Sequence, residues 1–78
     1  MKAEAVLAYV AKQLVDDPDA VEVVAIEEDR QIVLELHVAD EDKGKVIGKR
    51  GRTAKALRTL VKAAASLDDE NVTVEIVD

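Results

Sequence analysis

Hydrophobic residues in this 78-residue chain switch between a helical and an extended period three times, and that order of periods limits the fold more than any other feature. From Ala3 to Val15, Val6, Leu7, Val10 and Leu14 recur at helical spacing on an Ala-rich background, the pattern of an amphipathic helix. Asp16, Asp17, Pro18 and Asp19 end it, because proline lacks an amide hydrogen and pushes the residue before it out of helical geometry. Val21, Val23 and Ala25 then alternate with Glu22 and Val24. After a charged tip, Glu27 to Arg30, a second run places Ile32, Leu34, Leu36 and Val38 on one face. These are two strands of a hairpin. The second has the bulkier apolar residues and suits the centre of a sheet, whereas the first carries the charges an edge tolerates. Asp40 is a candidate N-cap for a short helix reaching about Val46, and a longer helical pattern begins after Gly51 and lasts to about Ser66. Asp68, Asp69, Glu70 and Asn71 form a turn before a last strand built on Val72, Val74 and Ile76. The order αββααβ predicts a two-layer α/β (α+β) sandwich. Its helix pair is a right-handed crossover between parallel central and last strands, giving a three-stranded mixed sheet with every helix on one face.

At this size one small domain, residues 1–78, is expected, and with Tyr9 as the one aromatic residue its core has to be aliphatic. The absence of Cys excludes disulfides and thiolate metal sites and fits a reducing cytoplasm. No apolar run approaches the roughly 20 residues that cross a bilayer, and no signal-peptide pattern follows Met1. A soluble, cytoplasmic protein without a membrane partner is expected.

Charge is distributed very unevenly. The formal net charge is -6, yet the segment from Lys43 to Lys62 holds eight of the eleven Lys and Arg, all three glycines and no Asp or Glu. Confinement of this kind points to a site for an anion rather than to general adhesion to polyanions. In the long helix Ala54, Leu57, Leu60, Val61 and Ala64 share one side, and Arg52, Lys55, Arg58 and Lys62 gather on the opposite side. A solvated helix face usually interleaves acids for i, i+4 pairing, and this one has none. Between the two helices lies Gly48-Lys49-Arg50-Gly51. A tight turn alone would account for two glycines, but their lack of Cβ also lets a backbone approach a ligand closely, and the next helix directs unpaired first-turn N–H groups at the same place. That geometry fits a phosphodiester. Lys49, Arg50 and Arg52 at the positive end of the helix dipole oppose the usual preference for acids, although Asp68, Asp69 and Glu70 break the matching preference at the other end.

The segment VIGKRGRTAKAL, Val46 to Leu57, resembles the GXXG signature of the K-homology (KH) domain, a module that clamps about four nucleotides of single-stranded RNA or DNA. GXXG alone is a weak signal; its place between two helices in an αββααβ order resembles the type II KH topology. The whole chain, with its DDPDAVEV entry into the sheet, its GKVIGKRGRTAKALRTLVKAAAS centre and its VTVEIV ending, is similar to the small bacterial single-KH RNA-binding proteins of the KhpA type. The resemblance implies a groove with the loop on one wall and the central strand on the other. Gly48, Lys49, Arg50 and Gly51 would hold phosphates. Ile47, Ala54 and Leu57 would floor the groove together with Leu36 and Val38, and Arg52, Lys55 and Arg58 would add charge beside it. Ala54 stands where many KH domains carry a larger aliphatic residue, which bears on groove depth. The resemblance further implies self-association as a homodimer or pairing with a larger KH-containing RNA-binding protein, and a role in regulating or chaperoning transcripts.

The scarcity of aromatics argues against folds that read bases by stacking, such as the RRM. His37 is out of phase with Leu34 and Leu36, so it is expected on the opposite sheet face as a surface residue. With no Cys, a single His and no activated Ser or Thr motif, neither catalysis nor a metal or cofactor site is expected. Two other readings remain at this point: a helix-turn-helix that inserts Arg52, Lys55 and Arg58 into duplex DNA, and a protein-assembly module with secondary RNA contact.

Overall fold

A computed structural model describes residues 1–77. Its elements are α1 (Lys2–Leu14), β1 (Glu22–Glu28), β2 (Gln31–His37), α2 (Lys43–Ile47), α3 (Arg52–Ser66) and β3 (Val72–Ile76), with 3-10 turns at Pro18–Ala20, Asp40–Asp42 and Lys49–Gly51. The αββααβ order is the one expected from the periods. β2 is central, antiparallel to β1 with Ala25 opposite Leu34, and parallel to β3 with Leu34 opposite Val74. The fold is therefore an α+β sandwich with a mixed three-stranded sheet. Among the described residues, no helix is long and apolar enough to cross a membrane.

Alternation decides which side chains enter the core. Leu34 and Leu36 of β2 and Val72 and Val74 of β3 meet Ala3, Leu7 and Ala11 of α1 and Leu57, Val61, Ala64 and Ala65 of α3. Each fully buried leucine, such as Leu7 or Leu34, contributes about 1.5–3 kcal/mol by leaving water. The alanines let the helices lie close to each other and to the sheet. Val21 and Val23 pack against this core, but Ala25, which shares their parity, is exposed on the edge strand. β1 also runs to Glu28, so the charged tip shrinks to Asp29 and Arg30, with Asp29 left-handed at φ 54°. Aspartate tolerates that conformation better than most residues. His37 lies on the uncovered sheet face, its Nε2 3.6 Å from Glu35 Oε1.

The expected capping role of Asp40 is not observed. Asp40 lies inside the 3-10 turn that leads into α2, is exposed, makes no side-chain cap hydrogen bond, and pairs with Lys43 at 3.1 Å. Two residues on, Asp42 is 2% exposed and accepts hydrogen bonds from the backbone N–H groups of Asp16 (3.2 Å) and Asp17 (3.0 Å). Lys45 lies 3.6 Å from the same carboxylate and also pairs with Asp16. The difference between the two acids is long-range: the segment after α1 passes over Asp42 and offers it two amide donors, while nothing passes over Asp40.

Burial pushes the Asp42 carboxyl up, but the two amide donors and Lys45 outweigh it and hold its pKa below the ordinary aspartate value. A pKa lower in the folded state means that the ionised form stabilises the fold above about pH 4, and that this contribution is lost as pH falls through the folded pKa. Asp42→Asn should therefore melt below wild type at pH 7, with the gap narrowing below about pH 4. Thermal melts of both proteins at pH 7 and pH 3 check this; a gap independent of pH would remove the charge from the explanation.

Candidate functional site

α2 ends because its next residue, Gly48, leaves helical space. Gly48 sits at φ 76°, ψ 173°, a combination open essentially to glycine alone, and its N–H still closes the helix on Gly44 C=O at 2.8 Å. A Cβ on Gly48 would come within 2.9 Å of the Thr53 backbone nitrogen and closer still to the Thr53 side chain. Lys49, Arg50 and Gly51 then make one 3-10 turn, closed by Gly51 N–H on Gly48 C=O at 3.1 Å. Arg50 (φ 59°) and Gly51 (φ 72°) are both left-handed. For a non-glycine residue such as Arg50 that backbone costs about 1–2 kcal/mol, and strain of this kind gathers at ligand clamps. The chain thus reverses in four residues, with Lys49 and Arg50 exposed at the apex.

The loop delivers the chain into α3 without a side-chain cap and without an acid in the first turn. The positive end of the α3 dipole consequently faces solvent among Lys49, Arg50 and Arg52. The eight cations expected to act together divide into two groups. Lys43 and Lys45 pair with Asp40, Asp16 and Asp42 and serve the fold. Lys49, Arg50, Arg52, Lys55, Arg58 and Lys62 are exposed and, among the described residues, have no ion-pair partner.

The groove wall differs from the one implied by resemblance. Leu36 of the central strand is fully buried under the helices and presents no wall to a ligand, while Val38, half-buried, packs against the same core. The strand beside the basic face is β3: Arg58 Nε donates to Val74 C=O at 3.5 Å. Ile32 N–H bonds Asn71 C=O and Val77 N–H bonds Leu36 C=O. The parallel ladder alternates, so the polar backbone groups of Val72, Val74 and Ile76 turn to the free edge, where Arg58 lies over one of them. Among the apolar floor residues only Ile47 is open, at 37% exposure, whereas Ala54 and Leu57 are 4% and 3% exposed and belong to the interior. The free edge of β3 was missed in the sequence; the parity of Val72, Val74 and Ile76 shows which side chains point inward but not which strand borders α3.

The two loop glycines should respond differently to substitution. Gly51 faces open space and needs only a left-handed backbone, so Gly51→Ala costs about 1 kcal/mol. Gly48→Ala, which adds a collision with Thr53 to a glycine-only conformation, should cost about 3 kcal/mol. Urea unfolding of both variants measures the difference, and equal losses would mean that the loop relaxes around an added methyl group.

Comparison with known proteins agrees with this architecture. The family model described as KhpA/KhpB, KH domain matches residues 4–76. The chain is similar to proteins named RNA-binding protein KhpA: 60% identical to that of Caldanaerobacter subterraneus, over 87% of this chain and 91% of the relative. It is 55% identical to that of Clostridium acetobutylicum, over 91% and 95%, and 47% identical to that of Chlamydia trachomatis, over 92% of each. Among solved structures, Aquifex aeolicus Era bound to GDP·AlF4- superposes with a TM-score of 0.62 at 19% identity. Era in complex with MgGDPNP and nucleotides 1506–1542 of 16S ribosomal RNA gives 0.66 at 20% identity. Both superpositions cover 95% of this chain and less than a third of Era, and they are likenesses of fold. With a family model spanning nearly its whole length and relatives about half or more identical, the chain belongs to the KhpA/KhpB KH-domain family.

Proposed function

We propose that this protein binds single-stranded RNA in the cytoplasm through the Gly48–Gly51 loop, without chemistry, as a regulator or chaperone of transcripts. The observation that carries the reading is a glycine-shaped loop whose exposed cations have no partner in the fold, set at the uncapped positive end of α3 in an otherwise acidic molecule. The names of the relatives, RNA-binding protein KhpA, support the ligand class. Phosphates would rest on the loop backbone beside Lys49 and Arg50. Arg52, Lys55 and Arg58 continue the positive surface along α3, and bases would lie over Ile47 toward the free edge of β3. The helix-turn-helix reading loses ground because α2 has only five residues, too short to lie across a DNA backbone while α3 enters a groove.

One KH unit reads about four nucleotides, so useful affinity calls for a second unit, either another copy of this chain or a larger KH-containing RNA-binding protein. Fluorescence anisotropy with labelled single-stranded RNA tests the core of the proposal. A Lys49→Asp, Arg50→Asp double variant that is folded by circular dichroism should lose binding by at least an order of magnitude; unchanged binding would sink the loop mechanism. Because the site is confined, the log–log salt dependence should be shallow, with a slope of about -2 to -4 per domain. Titrations across salt concentrations measure it, and a slope near -8 would mean that the whole basic surface binds as a polyelectrolyte.

A further inference from the structure

The helices cover one face of the sheet and leave the other bare. On that bare face Val24 and Ile26 of β1 stand beside Val33 of β2, with Ile26 directly opposite Val33. They form an apolar strip in which Val24 is 36% exposed and the other two are half-buried. Glutamates border it: Glu22 and Glu28 at the two ends of β1, and Glu35 and Glu75 toward β3. None of the three strands contains a Lys or Arg. Glu35 and Glu75 are direct partners in the parallel ladder, so two like charges stand side by side, an arrangement that destabilises a sheet. Glu35 has only the His37 ring, at 3.6 Å, and among the described residues Glu75 has no ion-pair partner. Repulsion left unrelieved in a regular sheet is a local conflict of the kind found at contact surfaces. We propose that this face docks a basic amphipathic helix of another protein, with its apolar side on the strip and its Lys or Arg side chains among the glutamates.

Charge and shape select that occupant. Nucleic acid and an anionic membrane surface are repelled by the glutamates. A second copy meeting this face with its own would set glutamate against glutamate. A second copy offering its basic α3 stripe brings Arg52, Lys55, Arg58 and Lys62 but no apolar row to lie on Val24 and Ile26. A helix with apolar residues at i, i+4 and i+7 and cations on both flanks satisfies the strip and its border together. The face also has the right size: two strand spacings give a width of about 10 Å and seven residues a length of about 23 Å, the outline of one helix of about four turns. The Gly48–Gly51 loop belongs to the helix layer, on the other side of the sheet, so a docked helix does not occupy the RNA site.

The test needs no RNA and stands whatever the loop binds. The probe is a fluorescently labelled synthetic helix of about 14 residues, with Leu at i, i+4, i+7 and i+11 flanked by Lys and Arg, titrated with the full chain at physiological salt. It should bind at least about tenfold more tightly than a scrambled peptide of the same composition, and NMR shift changes should centre on Val24, Ile26, Val33 and Glu35. A Glu35→Gln, Glu75→Gln double variant should weaken binding by about tenfold. Glu75→Gln alone should raise the melting temperature by about 1–5 °C, because the repulsion is gone. Val24→Asp separates docking from mere attraction of a polycation, since it adds an acid while removing the apolar centre. Weaker binding is expected; Val24→Asn, which adds no charge, keeps this arm open if the aspartate variant is unfolded. The proposal is overturned by absent binding, by equal binding of the scrambled peptide, by shifts centred on Asp16 to Asp19 or Asp68 to Glu70, or by tighter binding to Val24→Asp. A Glu75→Gln variant that melts no higher than wild type would remove the repulsion on which it rests.

Discussion

A single buried carboxylate ties the first half of this chain to the second. Asp42 is the one charged side chain buried among the described residues, and its oxygens are taken up by amides from the segment that follows α1. Placing a charge there is favourable only because donors are already aimed at it, and Lys45 joins from one turn further along α2. Asp16, held by Lys45 as well, closes the set. The start of α2 is thereby fixed relative to α1. Since α2 is only five residues long, fixing its start fixes its end, and its end is Gly48. The apolar core positions α3 and the sheet, whereas the polar cluster positions the short helix that leads into the loop.

Much of the fold could be read from residue spacing because the signals were local. Leu34 and Leu36 alternate, Leu57, Val61 and Ala64 recur at helical intervals, and both sets enter the core as their spacing requires. The crossover rule then makes β2 and β3 parallel. What spacing could not convey depended on contacts between distant segments. Asp40 and Asp42 both precede a helix and both sit three residues before a lysine, yet one is exposed and the other buried, because Asp16 and Asp17 pass over only one of them. Lys45 and Lys49 look equivalent in a basic run, but Asp16 is within reach of only the first. Residue spacing likewise identifies the inward side of β3 without revealing that its free edge lies under Arg58. The loop was legible as a glycine pair; its shape, with Arg50 left-handed between two special glycines, was not.

The third helix organises the surface as it organises the core. Its buried side holds the sheet, its basic side and N-terminal loop present the cations not used by the fold, and its remaining side is apolar and uncharged. These sectors do not overlap, so the solvent-facing cations are not drawn into the packing of the core.

The turn at Gly48–Gly51 also separates what must be inherited from what can drift. Its outline is set by two glycines and by the nearness of Thr53, so the frame exists whatever side chains project from its tip. Position 49 has an ordinary backbone and can exchange one side chain for another without disturbing the frame. Position 50 is left-handed and accommodates glycine, asparagine or aspartate more readily than a β-branched residue. Lineages that retune the affinity of such a loop therefore have an open choice at one residue and a narrow one, set by the backbone, at its neighbour.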